Sequence, residues 1–142
     1  MKNKIEMEEI YISTDKSKLN LDLIHRILTD SYWSPGITKE KVARGIQNSL
    51  CFGLFKSTEQ IGFARVLTDF SRFAYLLDVF IVDTYKGKGY GKLLMKHIME
   101  REDLQVDKWL LGTRDAHSLY AKFGFTAVKE PHRLMEKKLV NN

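Results

Sequence analysis

Three features of this sequence predict a mixed α/β fold, a single sheet of roughly six or seven strands flanked by about four helices. Apolar runs separated by short polar breaks fill residues 49–82, the pattern of an antiparallel meander. The last of these runs leads into a glycine-rich loop, a helix-like segment and another apolar run, the order of a parallel β-α-β crossover. Upstream, two segments carry apolar residues at helical spacing.

The first strand is expected at 9–13, EIYIS, and the polar TDKSK ends it. In LNLDLIHRILTD, Leu19, Leu23 and Ile27, with Ile24 and Leu28 one step round, describe an amphipathic helix that puts His25 on its polar, solvent-facing side. YWSPG at 32–36 reads as a turn, because proline fixes its own φ and pushes the preceding residue to extended geometry. Tyr32 and Trp33 at its mouth fit ordinary packing, or the wall of a substrate cleft. A second helix follows from Thr38 as N-cap, with Val42 and Ile46 on its apolar face.

SLCFGLF (49–55), IGFARVLTD (61–69) and FAYLLDVFIV (73–82) are the meander strands. The third is apolar almost throughout, which predicts a central strand covered on both faces. A helix is expected from about Gly89 to Arg101 and a strand in DKWLLGT (107–113). Next comes a short helix in DAHSLYAKFGF, capped by Asp115 and stopped near Gly124. FTAVKE (125–130) and RLMEKKLV (133–140), split by Pro131, look like two closing strands.

Composition limits the function classes. The chain has 142 residues, 44% hydrophobic and 29% charged, a globular balance that suggests one domain spanning 1–142 without a linker. No apolar run approaches the roughly 18 residues of a membrane span, and acids interrupt MKNKIEMEEI before a signal-peptide core forms, so a cytoplasmic location is expected. Cys51 is the only cysteine, which excludes an internal disulfide and suits a small buried hydrophobe. No Cys/His cluster has ligand spacing, so no metal is expected, and His97 and His132 are read as surface residues. The net charge of +5 favours an anionic ligand without naming it.

The stretch from Val79 to Lys92, VFIVDTYKGKGYGK, narrows that anion. Glycines at a strand-to-helix turn let main-chain N–H groups approach a phosphate that the helix N-terminus also attracts. A nucleotide P-loop needs Ser or Thr after Gly91-Lys92, where Leu93 stands, and a glycine where Lys86 stands. A dinucleotide fingerprint would put its third glycine at Lys92. The pattern Q/R-x-x-G-x-G/A fits Lys86-Gly87-Lys88-Gly89-Tyr90-Gly91, with lysine in first place.

In that hexapeptide, in HSLYAKFGF at 117–125 and in the order of elements between about 50 and 130, the chain resembles the GNAT superfamily of N-acetyltransferases. The resemblance implies the GNAT fold and acetyl-CoA as cofactor. It implies direct acetyl transfer to a primary amine of a small molecule or peptide in a ternary complex. Main-chain groups from Gly87 through Lys88, Gly89 and Tyr90 to Gly91 would hold the pyrophosphate, with charge from Lys86, Lys88 or Lys92. Lysine at 86 replaces the more usual Arg or Gln, keeping the charge and losing the bidentate fork. Val79, Phe80 and Ile81 would bond the pantetheine arm through their main chain, and one N–H would polarise the thioester carbonyl. Tyr120 matches the tyrosine that protonates the departing thiolate, and Thr113 stands where the family often has an Asn contacting the cofactor.

Asp78 stands out on sequence grounds alone, as the sole charge in FAYLLDVFIV. A carboxylate in such a strand is a general base toward an ammonium substrate, or a structural partner for a cation such as Arg65 on the adjacent strand. The acceptor pocket is expected from Tyr32, Trp33 and His117, with Arg114 and Asp115 shaping it. The alternative classes are a non-catalytic acyl-CoA-binding or regulatory module and a basic nucleic-acid binder. The latter lacks a recognition-helix or exposed-aromatic signature, so neither nucleic acid nor membrane is an expected partner. Family members are often dimers, which allows a homodimer.

Overall fold

Residues 9–139 are described by the structure, a computed structural model. Its strands are β1 (Ile10–Ser13), β2 (Leu50–Lys56), β3 (Glu59–Thr68), β4 (Phe73–Ile81) and β5 (Lys108–Leu111). They form one sheet in sequence order. β1 to β4 pair antiparallel, and β5 pairs parallel to β4 after a crossover. The α-helices are α1 (Leu21–Thr29), α2 (Lys39–Gln47), α3 (Tyr90–Met99) and α4 (His117–Ala121). The mixed α/β architecture and the number of helices match the sequence reading.

Caps set the helix starts. The Asn20 side chain accepts the Leu23 N–H at 3.0 Å, so α1 begins at Leu21. Thr38 accepts the Lys41 N–H and starts α2, as its sequence predicts. Asp115 does not cap α4. The Thr113 hydroxyl takes the Ala116 N–H at 3.0 Å instead, and Asp115 stays exposed. His25 is not solvent-facing either: half-buried, its Nε2 donates to the Ile37 carbonyl at 3.0 Å and ties α1 to the loop after it.

Each face of the sheet has its own core. On one side Phe52, Ala64, Val66, Ala74 and Leu76 pack with Leu94, Met95 and Ile98 of α3 and with Tyr120 of α4. On the other, Cys51, Phe63 and Phe80 pack against Ile24, Leu28 and Val42 of α1 and α2. Burying each such large side chain stabilises the fold by about 1.5–3 kcal/mol, so both helix layers are anchored mainly by apolar contact.

Two expectations are corrected. The sheet has five strands, not six or seven, because FTAVKE and RLMEKKLV form none among the described residues; Val140 lies outside them. A strand needs an edge to pair with, and here Pro131–Arg133 makes a 3-10 turn while Leu134, Met135 and Leu139 are exposed. β4 is also not covered on both faces. It lies next to the sheet's end, and Phe73 and Tyr75 are exposed because α1 and α2 pack farther along, around Phe63 and Phe80. β3 is the strand buried almost throughout.

Cys51 is buried as its sequence suggests, and burial pushes its thiol up to about 11. Thiolate is the reactive form, so the native protein should not consume an aromatic disulfide reagent at pH 8. One thiol per chain should react once denaturant is added. Rapid native labelling would show that this face of the sheet opens readily.

Candidate active site

β4 is nine residues long and β5 four, and that difference opens a cleft. Pairing with β5 runs only from Phe73 to Leu76, so from Leu77 to Ile81 the β5 side of β4 has no strand beside it. On its other side β4 stays paired to β3. The exposed edge therefore offers main-chain donors and acceptors to a ligand that lies alongside as a strand would. Val79, Phe80 and Ile81, which the resemblance assigns to a pantetheine arm, lie on this unpaired stretch.

A β-bulge lies at the start of this open stretch. Phe63 pairs with Phe80 and Arg65 with Leu77, so Asp78 and Val79 together oppose Ala64. Asp78 takes a left-handed backbone, φ 55°, which aspartate tolerates better than a branched residue. The bulge reverses the alternation of faces: Ala74 and Leu76 point to the α3 side, whereas Phe80 beyond the bulge joins the α1–α2 core and Val79 packs toward α3. Without the extra residue Phe80 would face the wrong layer.

The Asp78 carboxylate is shared between two donors. Arg65 Nε reaches Oδ2 at 2.9 Å and the Trp33 indole N–H reaches Oδ1 at 3.0 Å. The ion pair is mostly buried, 20% and 11% exposed on its two sides. The structural pairing with Arg65 is thus observed, and Asp78 also lines the cleft. Arg65 Nη1 donates in turn to Ser49 Oγ at 2.9 Å, and Ser49 donates to the Gly45 carbonyl at 2.5 Å. A Cβ at Gly45 would come within 3.3 Å of Arg65 Nη1, so that glycine makes room for the guanidinium.

The YWSPG loop bridges both sides of the cleft. Trp33 holds Asp78 on β4, while the Tyr32 hydroxyl accepts the Arg114 N–H at 3.0 Å from the segment after β5. The Arg114 guanidinium stacks 3.8 Å from the Tyr32 ring centroid, and Tyr32 and Trp33 meet edge-on at 5.0 Å. Main-chain bonds from Gly36 to Thr29 and from Ser31 to Leu28 fasten the loop to the end of α1. The cleft measures about 580 Å3.

Tyr120 is 8% exposed and lines the same cleft. Its hydroxyl has no hydrogen-bond partner among the described residues, which leaves it available to a ligand. Burial, first, and then the nearby Tyr32 and Asp115 raise its pKa above the ordinary tyrosine value. Thr113 lines the cleft with its hydroxyl occupied by the Ala116 N–H. His117 is exposed at the start of α4, and the structure does not bring it to the cleft lining.

The glycine loop follows the open edge directly. Gly87 and Gly89 have φ 77° and 86°, a region that L side chains rarely adopt, and nothing lies within 4 Å of where a Cβ would stand. Gly89 is the N-cap of α3. From Gly87 through Lys88, Gly89, Tyr90 and Gly91 to Lys92, the N–H groups bond to no main-chain carbonyl among the described residues. Such a run of free donors at a helix N-terminus suits a phosphate or pyrophosphate. Lys86 is paired with Asp83 at 2.8 Å, whereas Lys88 and Lys92 make no ion pair among the described residues and can lend their charge.

Sequence reasoning had no signal for the Trp33–Asp78 bond or for Ser49 behind Arg65, because those partners lie far apart in the chain. The bulge did leave one: an aspartate, tolerant of left-handed backbone, inside an apolar strand.

The acetyltransferase (GNAT) domain family matches residues 47–127. The chain is 45% identical to an acetyltransferase of the GNAT family from Xanthomonas campestris pv. campestris, with a TM-score of 0.88 over 92% of this chain and 94% of that one. It is 34% identical to the [ribosomal protein bS18]-alanine N-acetyltransferase of Haemophilus influenzae, over 68% of this chain and 66% of that protein. An acetyltransferase from Clostridium acetobutylicum whose structure was solved with acetyl-CoA shares the fold, at 20% identity and a TM-score of 0.68, over 94% of this chain and 97% of that one.

Loss of Arg65 would leave the Asp78 carboxylate buried with the indole as its main donor. Arg65→Met should therefore lower unfolding stability by about 3 kcal/mol in urea titrations. Breaking the exposed Lys86–Asp83 pair by Lys86→Met should change it by less than about 1 kcal/mol. Equal effects would mean that the buried pair is not a structural anchor.

Proposed function

The chain belongs to the GNAT acetyltransferase family, and we propose from that premise that it transfers acetyl from acetyl-CoA to a primary amine by direct attack in a ternary complex. The observation that carries this reading is the continuity of β4's open edge with the N–H groups of residues 87–92, which bond to no main-chain carbonyl among the described residues. An extended arm can pair with the edge while its terminal pyrophosphate rests on the loop. The relatives' acetyltransferase descriptions support the same chemistry.

Bound acetyl-CoA supplies an acyl thioester whose C–S bond opens as the acceptor nitrogen bonds to the acyl carbon. Lys88 and Lys92 offset the charge of the pyrophosphate, and the helix N-terminus adds its positive end. One main-chain N–H among Val79, Phe80 and Ile81 polarises the acyl oxygen. Tyr120 gives its proton to the departing sulfur. Its raised pKa keeps the hydroxyl protonated until the thiolate forms, and solvent returns the proton to the phenolate once the thiol has left.

Asp78 holds negative charge at the cleft wall and attracts the acceptor as an ammonium; the proton then leaves to Asp78 or to water. Because Arg65 and Trp33 already donate to both carboxylate oxygens, its firmest contribution is to position Trp33 and the bulge. Tyr32 and Trp33 supply flat walls for the acceptor, a small molecule or the end of a peptide.

Free-thiol release from acetyl-CoA over a panel of primary amines and peptides tests this reading, and the buried Cys51 keeps the background low. Tyr120→Phe should cut kcat by about 100-fold with acetyl-CoA affinity unchanged. Lys88→Gln combined with Lys92→Gln should do the reverse, weakening acetyl-CoA binding by about tenfold and flattening its salt dependence. Unaltered turnover in Tyr120→Phe would remove the tyrosine from its role. Acetyl-CoA binding without thiol release from any acceptor would identify a non-catalytic module. With the tyrosine pKa raised, activity should not be lost to its ionisation below about pH 10.

A further inference from the structure

We propose, on the basis of the acetyl-transfer reading, that the acceptor carries a carboxylate beside its primary amine and that Arg114 is the residue that selects it. Two guanidiniums line the cleft, those of Arg65 and Arg114. Arg65 directs its donors to Asp78 and Ser49. The Arg114 guanidinium makes no hydrogen bond and no ion pair among the described residues, yet it is held in place. It stands 3.8 Å from the Tyr32 ring centroid, and the main-chain N–H of the same residue donates to the Tyr32 hydroxyl at 3.0 Å. One side chain therefore fixes both ends of Arg114. A guanidinium stacked on a ring keeps the N–H donors at its edge for a ligand, and one fixed in this way loses little freedom on binding.

The fork and the charge around it name the anion. Paired guanidinium N–H groups match the two oxygens of a carboxylate. Asp115, next in the chain, is exposed and pairs with no cation among the described residues, so the free positive charge stands beside a fixed negative one. A singly charged carboxylate suits that balance better than a phosphate of nearly twice the charge. Asp78 is mostly buried in the cleft wall, whereas Arg114 is exposed. An acceptor that turns its ammonium inward to Asp78 and the open half of β4 leaves its carboxylate outward for Arg114. Trp33 bonds the one residue and Tyr32 stacks on the other, so adjacent residues of one loop set the spacing between the two charges. Contacts of opposite sign orient the substrate as well as hold it.

The test is acetyl transfer, read as thiol release, to free α- and ω-amino acids of increasing chain length, each beside its amide and beside an amino-alcohol phosphate of similar length. The wild type should prefer at least one amino acid over its amide by about tenfold or more in kcat/KM. Arg114→Gln should raise KM for that amino acid by about tenfold with kcat little changed, and Arg114→Lys should restore part of the loss. Equal use of acids and amides by the wild type overturns the proposal while the transfer reading stands. An acid-to-amide ratio that Arg114→Gln leaves unchanged overturns it too, since a structural role would lower both substrates alike, and so does a preference for the phosphates. If no amine releases thiol, the transfer reading fails, and calorimetric binding of the same acids and amides in the presence of acetyl-CoA decides the inference: no acid bound more tightly than its amide overturns it. The wild-type ratio decides it even where a variant does not fold.

Discussion

The ion pair between Arg65 and Asp78 is the interaction on which the cleft depends. A left-handed backbone at a non-glycine residue costs about 1–2 kcal/mol, and inside a strand it also interrupts the ladder. Two directed donors to the Asp78 carboxylate and the burial of Phe80 in the correct layer offset that strain. The same guanidinium reaches Ser49 and packs over Gly45, which ties the bulge to the end of α2. The carboxylate also holds Trp33, so the loop over the cleft and the phase of β4 share one anchor.

Strand length is the second constraint. β5 covers only the first half of β4 and is the last strand among the described residues, which leaves two unpaired edges of different character. One is the far half of β4, which runs into the glycine loop and provides main-chain bonding toward a ligand. The other is the outer edge of β5, flanked by an apolar groove. The first follows from the four-residue length of β5, and the second from a sheet that stops at five strands among the described residues.

Much of the fold was legible because its signals are local. Helical spacing, the Thr38 cap and the short breaks between the meander strands are properties of neighbouring residues, and they appear where the sequence places them. The loop was legible for the same reason, since its positive-φ glycines precede a helix in the chain itself. Misreadings arose where partners are distant. Asp115 does not cap α4, which starts from Ala116 with no side-chain cap while the Ala116 N–H goes to Thr113, and His25 found a carbonyl on the following loop instead of solvent. β4 read as a central strand because apolar content says how much can be buried, not which layer covers it.

The sequence by itself determined the class of fold, the glycine-rich loop and the succession of a strand, a turn and a helix, because each is encoded within a few residues by backbone preference and apolar period. Only the tertiary structure decided that Asp78 sits in a bulge between Arg65 and Trp33 and that, among the described residues, Tyr120 has no hydrogen-bond partner for its hydroxyl in the same cleft and the sheet stops at β5. Those outcomes depend on which edges meet and which side chains converge from separate elements. Register and packing set them after the chain has closed on itself, and no local pattern carries that information.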